Sequence, residues 1–180
     1  MRNNPSSQLA ILITRLANRL EQFIDWSGRV VSWCVLGMVL LTFLVVVLRY
    51  LFDSGWIALQ ESVSYLHSLV FLLGAAYTLK HDAHVRVDIF YSRFSERTKA
   101  WVELLGHLFI LIPVMLFIAW ISWPYISDAW AVKESSRDAG GLPGVYLLKS
   151  LILLMAGLLI IQALVLILRA GLKLGGSEQG

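Results

Sequence analysis

The side chains most able to do chemistry lie close together between positions 80 and 99. The stretch KHDAHVRVDIFYSRFSERTK holds two histidines, three acidic residues and five basic residues. Imidazole and carboxylate groups are metal ligands, but no cysteine and no HExxH spacing accompanies them, and the basic neighbours repel a cation. The sequence therefore predicts no metal site here and favours a charged turn. The four side chains considered as ligands are His81, Asp82, His84 and Asp88.

Three further candidates lie in or beside apolar runs. His67 and His107 could be axial haem ligands, but the helical rise places them ~18 Å and ~9 Å from the span ends near Leu79 and Trp101, which lie on the same side of the membrane. This offset disfavours one shared iron. Glu61 could carry protons, since ionisable groups in a membrane are often functional. No chain of polar groups continues from Glu61 across the bilayer, so we expect it to form a structural ion pair with Arg49. A cytochrome anchor subunit and a proton-coupled protein remain the alternatives.

Four long runs without charge must position these residues. They lie at 30–48, 62–79, 104–127 and 150–168, in a chain that is 58% hydrophobic and 15% charged. At ~1.5 Å per residue each run can cross a hydrocarbon core of ~30 Å. The sequence predicts an all-α integral membrane protein with one domain over 29–170. Its spans are expected at about 30–50, 57–79, 101–124 and 146–168.

The basic residues predict the orientation of these spans. Eleven of the 15 Lys and Arg residues fall on the side that carries both termini and the stretch 80–99, and four fall on the other. Basic residues favour the cytoplasmic face, so both termini are predicted to be cytoplasmic. Contact with anionic phospholipid explains the net charge of +3 without a nucleic-acid partner.

The segment before the first span has a helical pattern of its own. Over residues 1–28 the apolar side chains recur at helical spacing, with Arg15 and Arg19 on the opposite face. This pattern predicts an amphipathic helix in the membrane interface, or alternatively a helix docked on a partner. Residues 171–180 are predicted to be a disordered tail.

The second span carries a stripe of small and polar side chains. Small residues let helix backbones approach closely in a membrane, so the stripe predicts a helix–helix contact. Its members are Ser64, Ser68, Gly74 and Ala75.

Several short segments together resemble the small membrane subunit of tripartite ATP-independent periplasmic (TRAP) transporters, the DctQ type. The resemblance covers about residues 31–169. It rests on the Arg49–Tyr50 pair, Trp56 and Glu61, Leu73–Gly74–Ala75, His84–Val85–Arg86–Val87–Asp88 and a Gly-Leu-Pro before the last span.

The resemblance implies a scaffold subunit in a bacterial inner membrane, with no catalytic site and no cofactor. Its expected partners are a large membrane subunit, which imports an organic anion such as a carboxylate with a sodium gradient, and a periplasmic binding protein. His84, Arg86 and Asp88 are expected to stabilise a cytoplasmic turn. The loop between spans three and four is expected to dock the binding protein or to be merely solvated, and its charged residues are Lys133, Glu134, Arg137 and Asp138.

Overall fold

The computed structural model describes residues 5–83 and 91–176, and these residues form helices joined by short links. No strand occurs in this part of the chain, so the predicted all-α class is confirmed. A short π-helix, His107–Leu111, joins the third and fourth α-helices. The helices are α1 Pro5–Leu51, α2 Ile57–Lys80, α3 Glu96–Gly106, α4 Ile112–Ala131 and α5 Val145–Gly176.

Four segments within the described residues are long and apolar enough to cross a membrane, as the uncharged runs predict. They are Ile11–Leu51, Ile57–Lys80, Glu96–Ala131 and Val145–Leu174. The shortest has 24 residues. A helix of that size is about 36 Å long, so each segment exceeds the ~30 Å of a hydrocarbon core. The described spans therefore extend beyond the predicted boundaries.

Helix α1 is continuous through the predicted boundary near residue 28. It contains 47 residues, so the amphipathic segment and the first span form one element. The length of such a helix is about 70 Å. Ala17, Ile24 and Val31 are buried at heptad spacing, which gives α1 one packed seam on both sides of that boundary. Leu12 and Leu16 face outward and remain exposed. No break therefore separates the predicted interfacial segment from the first span.

Helix α5 lies at the centre of the bundle and contacts each of the other α-helices. In the most apolar part of α5, 33% of the residues are buried, whereas only 6% are buried in the corresponding part of each of the other spans. The core around α5 is built mainly from small or flexible side chains, which allow the helices to approach closely. Its fully packed members are Ile24, Ala76, Met115, Ala156 and Leu159.

The π-helix sits directly before a proline in the third span. Pro113 has no backbone N–H and its ring excludes an ordinary α-helical bond to the preceding turn. The amide of Ile112 donates to the carbonyl of His107, so the helix widens by one residue before Pro113. The span continues as α4 without ending.

The bundle has two distinct ends, which we name by their contents. At the loop end, α1 and α4 finish, α2 and α5 begin, and residues 132–144 form the α4–α5 loop. At the charged end, α1 and α3 begin and α2 and α5 finish, and ion pairs join α1 to α2 and α5.

Candidate functional site: the α4–α5 loop and its anchor

The α4–α5 loop folds back on itself through its own backbone. The amide of Ser136 donates to the carbonyl of Leu142 at 3.0 Å, and the amide of Gly141 donates to the carbonyl of Asp138 at 3.0 Å. Gly140 has a positive φ of 83°. Glycine adopts that conformation without strain because it has no Cβ. The loop therefore closes into a compact turn whose tip is residues 137–140.

Glu61 of α2 holds both ends of this turn. Its Oε1 accepts a short hydrogen bond from the Ser136 hydroxyl, and its Oε2 accepts one from the Leu142 amide at 2.6 Å. A Cβ atom at Gly141 would lie 2.8 Å from Oε1 of Glu61, so only glycine leaves room for the carboxylate. One side chain in the second span thus fixes a loop that follows the third.

Arg49 and Glu61, which both lie among the described residues, do not form the predicted ion pair. Arg49 is exposed in the last turn of α1, and the carboxylate of Glu61 is occupied by the loop. The link after α1 instead closes on its own helix, because the amide of Ser54 donates to the carbonyl of Leu48 at 3.0 Å. Asp53 adopts a φ of 46° to make that turn.

Two of the four predicted docking residues are held by their own chain. Lys133 lies over the rings of Trp130, at 4.4 Å, and Tyr146, at 5.0 Å. Both are cation–π distances. Glu134 forms a short, partly buried ion pair with Lys149 at the start of α5. These contacts support the stem of the loop and leave fewer charges for a partner.

The other two docking residues lie at the tip of the loop. Arg137 and Asp138 are both exposed, while the Asp138 amide donates to the Ser136 hydroxyl at 3.1 Å. Ser136 therefore links the Glu61 anchor directly to the exposed tip.

A tyrosine beneath the loop was missed by sequence reasoning. The hydroxyl of Tyr65 is buried and has no hydrogen-bond partner among the described residues. Gly144 packs against its ring, since a Cβ at Gly144 would lie 3.6 Å from Cε1. Tyr65 follows Glu61 by one helical turn and so shares its helix face, which is the signal that could have identified it.

Two members of the predicted stripe on α2 pack within the chain. Ala75 contacts the core, and a Cβ at Gly74 would lie 3.9 Å from Val31 of α1. Ser68 donates to the carbonyl of Ser64 in its own helix at 2.9 Å, and Ser64 is exposed. Gly74 and Ala75 thus pack within the chain, whereas Ser64 is exposed.

An ion cluster at the charged end was also missed. Lys80 at the end of α2 lies 2.5 Å from Asp25 and 4.0 Å from Glu21, both on α1. Arg169 of α5 lies 2.6 Å from Glu21, and His81 lies 3.6 Å from Asp25. Three helices are joined by this cluster, which we call the clamp.

The predicted turn motif lies beside the clamp in the sequence, but its residues His84, Arg86 and Asp88 fall outside the described residues. Of the two possible haem ligands, His67 stacks on Phe71 with ring centres 6.3 Å apart. His107 bonds through Nδ1 to a backbone carbonyl of its own helix. Among the described residues, no three His, Cys, Asp or Glu side chains are grouped closely enough to hold a metal ion.

Comparison with known proteins gives one family. A model described as "Tripartite ATP-independent periplasmic transporters, DctQ component" matches residues 38–171, which include Glu61 and the whole α4–α5 loop. The chain is similar to the C4-dicarboxylate TRAP transporter small permease protein DctQ of Vibrio cholerae, with 28% identity over 118 residues. The alignment covers 63% of this chain and 51% of the relative, so the chain matches about half of that protein's length. No solved structure matches the chain.

Proposed function

Because this chain belongs to the DctQ component family of tripartite ATP-independent periplasmic transporters, we propose that it is the scaffold subunit of a sodium-coupled importer. It stands beside a large membrane subunit that carries the solute, and it helps to dock a periplasmic binding protein. The family is a transporter component and not an enzyme. C4-dicarboxylates, which the name of the Vibrio cholerae relative specifies, are the proposed solute class.

The anchor on Glu61 is the observation that carries the scaffold proposal. A carboxylate that binds a coupling ion or relays a proton must keep some of the about four acceptor positions of its two oxygens for that purpose. Both oxygens of Glu61 instead accept hydrogen bonds from the α4–α5 loop. The one acidic residue near the start of α2 thus supports a loop, which favours a structural role over transport.

The docking surface that we propose is the tip of this loop. Lys133 and Glu134 are engaged by their own chain, so Arg137 and Asp138 are the charges left for a soluble partner. Exposed charge pairs contribute little individually and are screened by salt. Docking through the tip should therefore be weak and reversible, as a binding protein that delivers one solute at a time requires.

The orientation follows from the distribution of basic residues. We propose that the charged end faces the cytoplasm and the loop end faces the periplasm, in a bacterial inner membrane. This arrangement presents Arg137 and Asp138 to the compartment in which the binding protein is found.

Solute uptake into vesicles that contain the complete transporter tests the docking surface. Reversal of both tip charges, with Arg137→Glu and Asp138→Lys, should raise the concentration of binding protein that gives half-maximal uptake by about fivefold. Uptake at saturating binding protein should stay unchanged, because the transport path lies in the large subunit.

Arg93→Glu is the matched control, since Arg93 is also exposed but lies at the opposite end of the bundle. It should leave the half-saturating concentration unchanged. A lower maximal uptake or a changed solute preference in the double reversal would instead place the loop in the transport path and overturn the scaffold role.

A further inference from the structure

An apolar groove runs between α1 and α2 on the side away from the α4–α5 loop. Its volume is about 600 Å³, and Met155 of α5 forms part of its floor. The hydroxyls of Ser32 and Thr78 line it but donate to carbonyls of their own helices, at 2.7 Å and 3.0 Å. The groove therefore presents a mainly hydrocarbon surface. Val31 of α1 and Val70 and Gly74 of α2 are among its other lining residues.

The depth of the groove limits what can fill it. It extends over residues 28–35 of α1 and 70–78 of α2. It stops just before Lys80, the last residue of α2. At the rise of an α-helix these segments are about 12 Å long, which is within the depth of one leaflet. A partner's transmembrane helix would need to pack across a core of ~30 Å. The length fits a lipid chain better than a helix.

The charges at the mouth of the groove select the headgroup. The two carboxylates of the clamp are balanced by Lys80 and Arg169. From α2, His81 lies 3.6 Å from Asp25, and its side chain is 47% exposed. From α1, Arg29 is exposed directly beside the groove lining. Asp82 adds one exposed carboxylate beside His81, so four basic side chains and three carboxylates lie at the mouth, a balance that suits a phosphate.

We propose that this groove binds one anionic phospholipid from the leaflet at the charged end. An acyl chain lies between α1 and α2 against Gly74 and Val31, and the phosphate lies near Arg29 and His81. The site is independent of the docking role of the α4–α5 loop, which is at the other end of the bundle.

Photolabelling tests the acyl chain site. Vesicles of phosphatidylethanolamine and phosphatidylglycerol, the latter with a diazirine in its acyl chain, are prepared with the complete transporter. Label should concentrate in peptides of residues 28–35 and 70–78. Gly74→Leu places a side chain in the groove and should reduce that label to the level of other lipid-facing helices. Gly157→Leu, where a Cβ meets no neighbour within 4 Å, should keep the label.

A second variant guards against a loss of folding. Val70→Trp fills the groove from another position on α2 and should give the same loss as Gly74→Leu. Both variants should keep the helical circular dichroism signal and the assembly of the unaltered chain. Equal labelling of all exposed faces would show annular lipid only and overturn the site.

The headgroup is tested in the same vesicles. Arg29→Gln should reduce the preference for phosphatidylglycerol over phosphatidylethanolamine by about fivefold. Arg49→Gln, the same change in the last turn of α1 at the loop end, should leave that preference unchanged. If Gly74→Cys, made in a Cys34→Ser background, cross-linked to another protein chain and not to lipid, the groove would belong to a partner helix and the proposal would be contradicted.

Discussion

The two ends of the bundle are stabilised by different chemistry. At the loop end, the carboxylate of Glu61 binds two uncharged donors, the Ser136 hydroxyl and the Leu142 amide, in a partly buried position. At the charged end, the clamp joins oppositely charged side chains, and Arg169 and Asp25 are 47% and 36% exposed. Hydrogen bonds to an ionised group keep their strength where water is scarce, whereas exposed ion pairs are screened.

This difference indicates that the two ends stabilise different parts of the structure. The anchor fixes the conformation of one loop, and its partners come from a single turn of chain. The clamp instead ties together three helices without fixing any one backbone segment. We expect the loop end to be rigid and sensitive to single substitutions, and the charged end to be tolerant and sensitive to salt.

The largest effect is expected from labelling that tells the two ends apart. In a Cys34→Ser background, Arg137→Cys should react with a membrane-impermeant maleimide added to intact cells, and Arg93→Cys should react only after lysis. Gly55→Cys is a control at the loop end, where a Cβ meets no neighbour within 4 Å. Position 55 should behave as position 137 does. The reverse pattern would invert the proposed orientation.

The next largest effect concerns the anchor. Glu61→Ala removes both acceptors of the loop, so the amide of Leu142 should exchange its hydrogen about tenfold faster than in the unaltered chain. Helix content and assembly should be unchanged, because α2 keeps its own backbone bonds. Hydrogen exchange followed by mass spectrometry measures the loop peptide.

Arg49→Gln distinguishes the Glu61 anchor on the loop from the Arg49–Glu61 ion pair that the sequence predicts. The structure gives Glu61 partners in the loop, so Arg49→Gln alone should leave exchange at Leu142 unchanged. Combined with Glu61→Ala, it should add nothing to the effect of Glu61→Ala. Ser136→Ala combined with Glu61→Ala should have less than the summed effect, since both changes break the same bond. If the effect of Glu61→Ala were instead non-additive with Arg49→Gln and additive with Ser136→Ala, Glu61 would pair with Arg49 and the proposed anchor on the loop would be wrong.

The anchor also shows how far sequence reasoning extends. Four uncharged runs correctly predict four spans, because the rise of a helix and the thickness of a bilayer are fixed quantities. Glu61 is identified as important because a carboxylate near hydrocarbon needs a partner. Its partner could not be predicted, since Ser136 is 75 residues away and the contact depends on how α2, α4 and α5 pack.

The continuity of α1 could not be predicted for a related reason. Arg15, Arg19 and Arg29 interrupt the apolar pattern and suggest a boundary before the first span. The buried seam that includes Ala17 and Ile24 crosses that boundary, because α5 is long enough to cover it. Charges on the exposed face mark the membrane surface, but they do not end a helix.

A smaller effect is expected at the clamp. Glu21 is shared by Arg169 and Lys80. Glu21→Gln should therefore lower the free energy of unfolding by about 1 kcal/mol at low salt. The loss should shrink as salt is raised, because the pair with Arg169 is partly exposed. Thermal unfolding in detergent at two salt concentrations measures it. An equal loss at both would show a buried network and contradict the contrast with the loop end.

The smallest effect is expected at Lys133, where two contributions oppose each other. Its ammonium group lies over the rings of Trp130 and Tyr146. A contact of this kind stabilises an exposed site by about 0.5 kcal/mol. The backbone of Lys133 has a positive φ of 48°. That conformation is strained for a residue with a Cβ. Lys133→Gln should therefore destabilise the loop slightly, because it loses the cation and keeps the strain.

Lys133→Gly loses the same cation but relieves the strain, so its stability should equal or exceed that of Lys133→Gln. Comparison of the two variants isolates the ring contact from the backbone contribution, with unfolding in detergent and exchange at the loop peptide as the measurements. Lys133→Arg keeps a cation and should match the unaltered chain. If Lys133→Gln also matched it, the lysine would contribute nothing to the stem, and Glu134 with Lys149 would support the loop beside the Glu61 anchor.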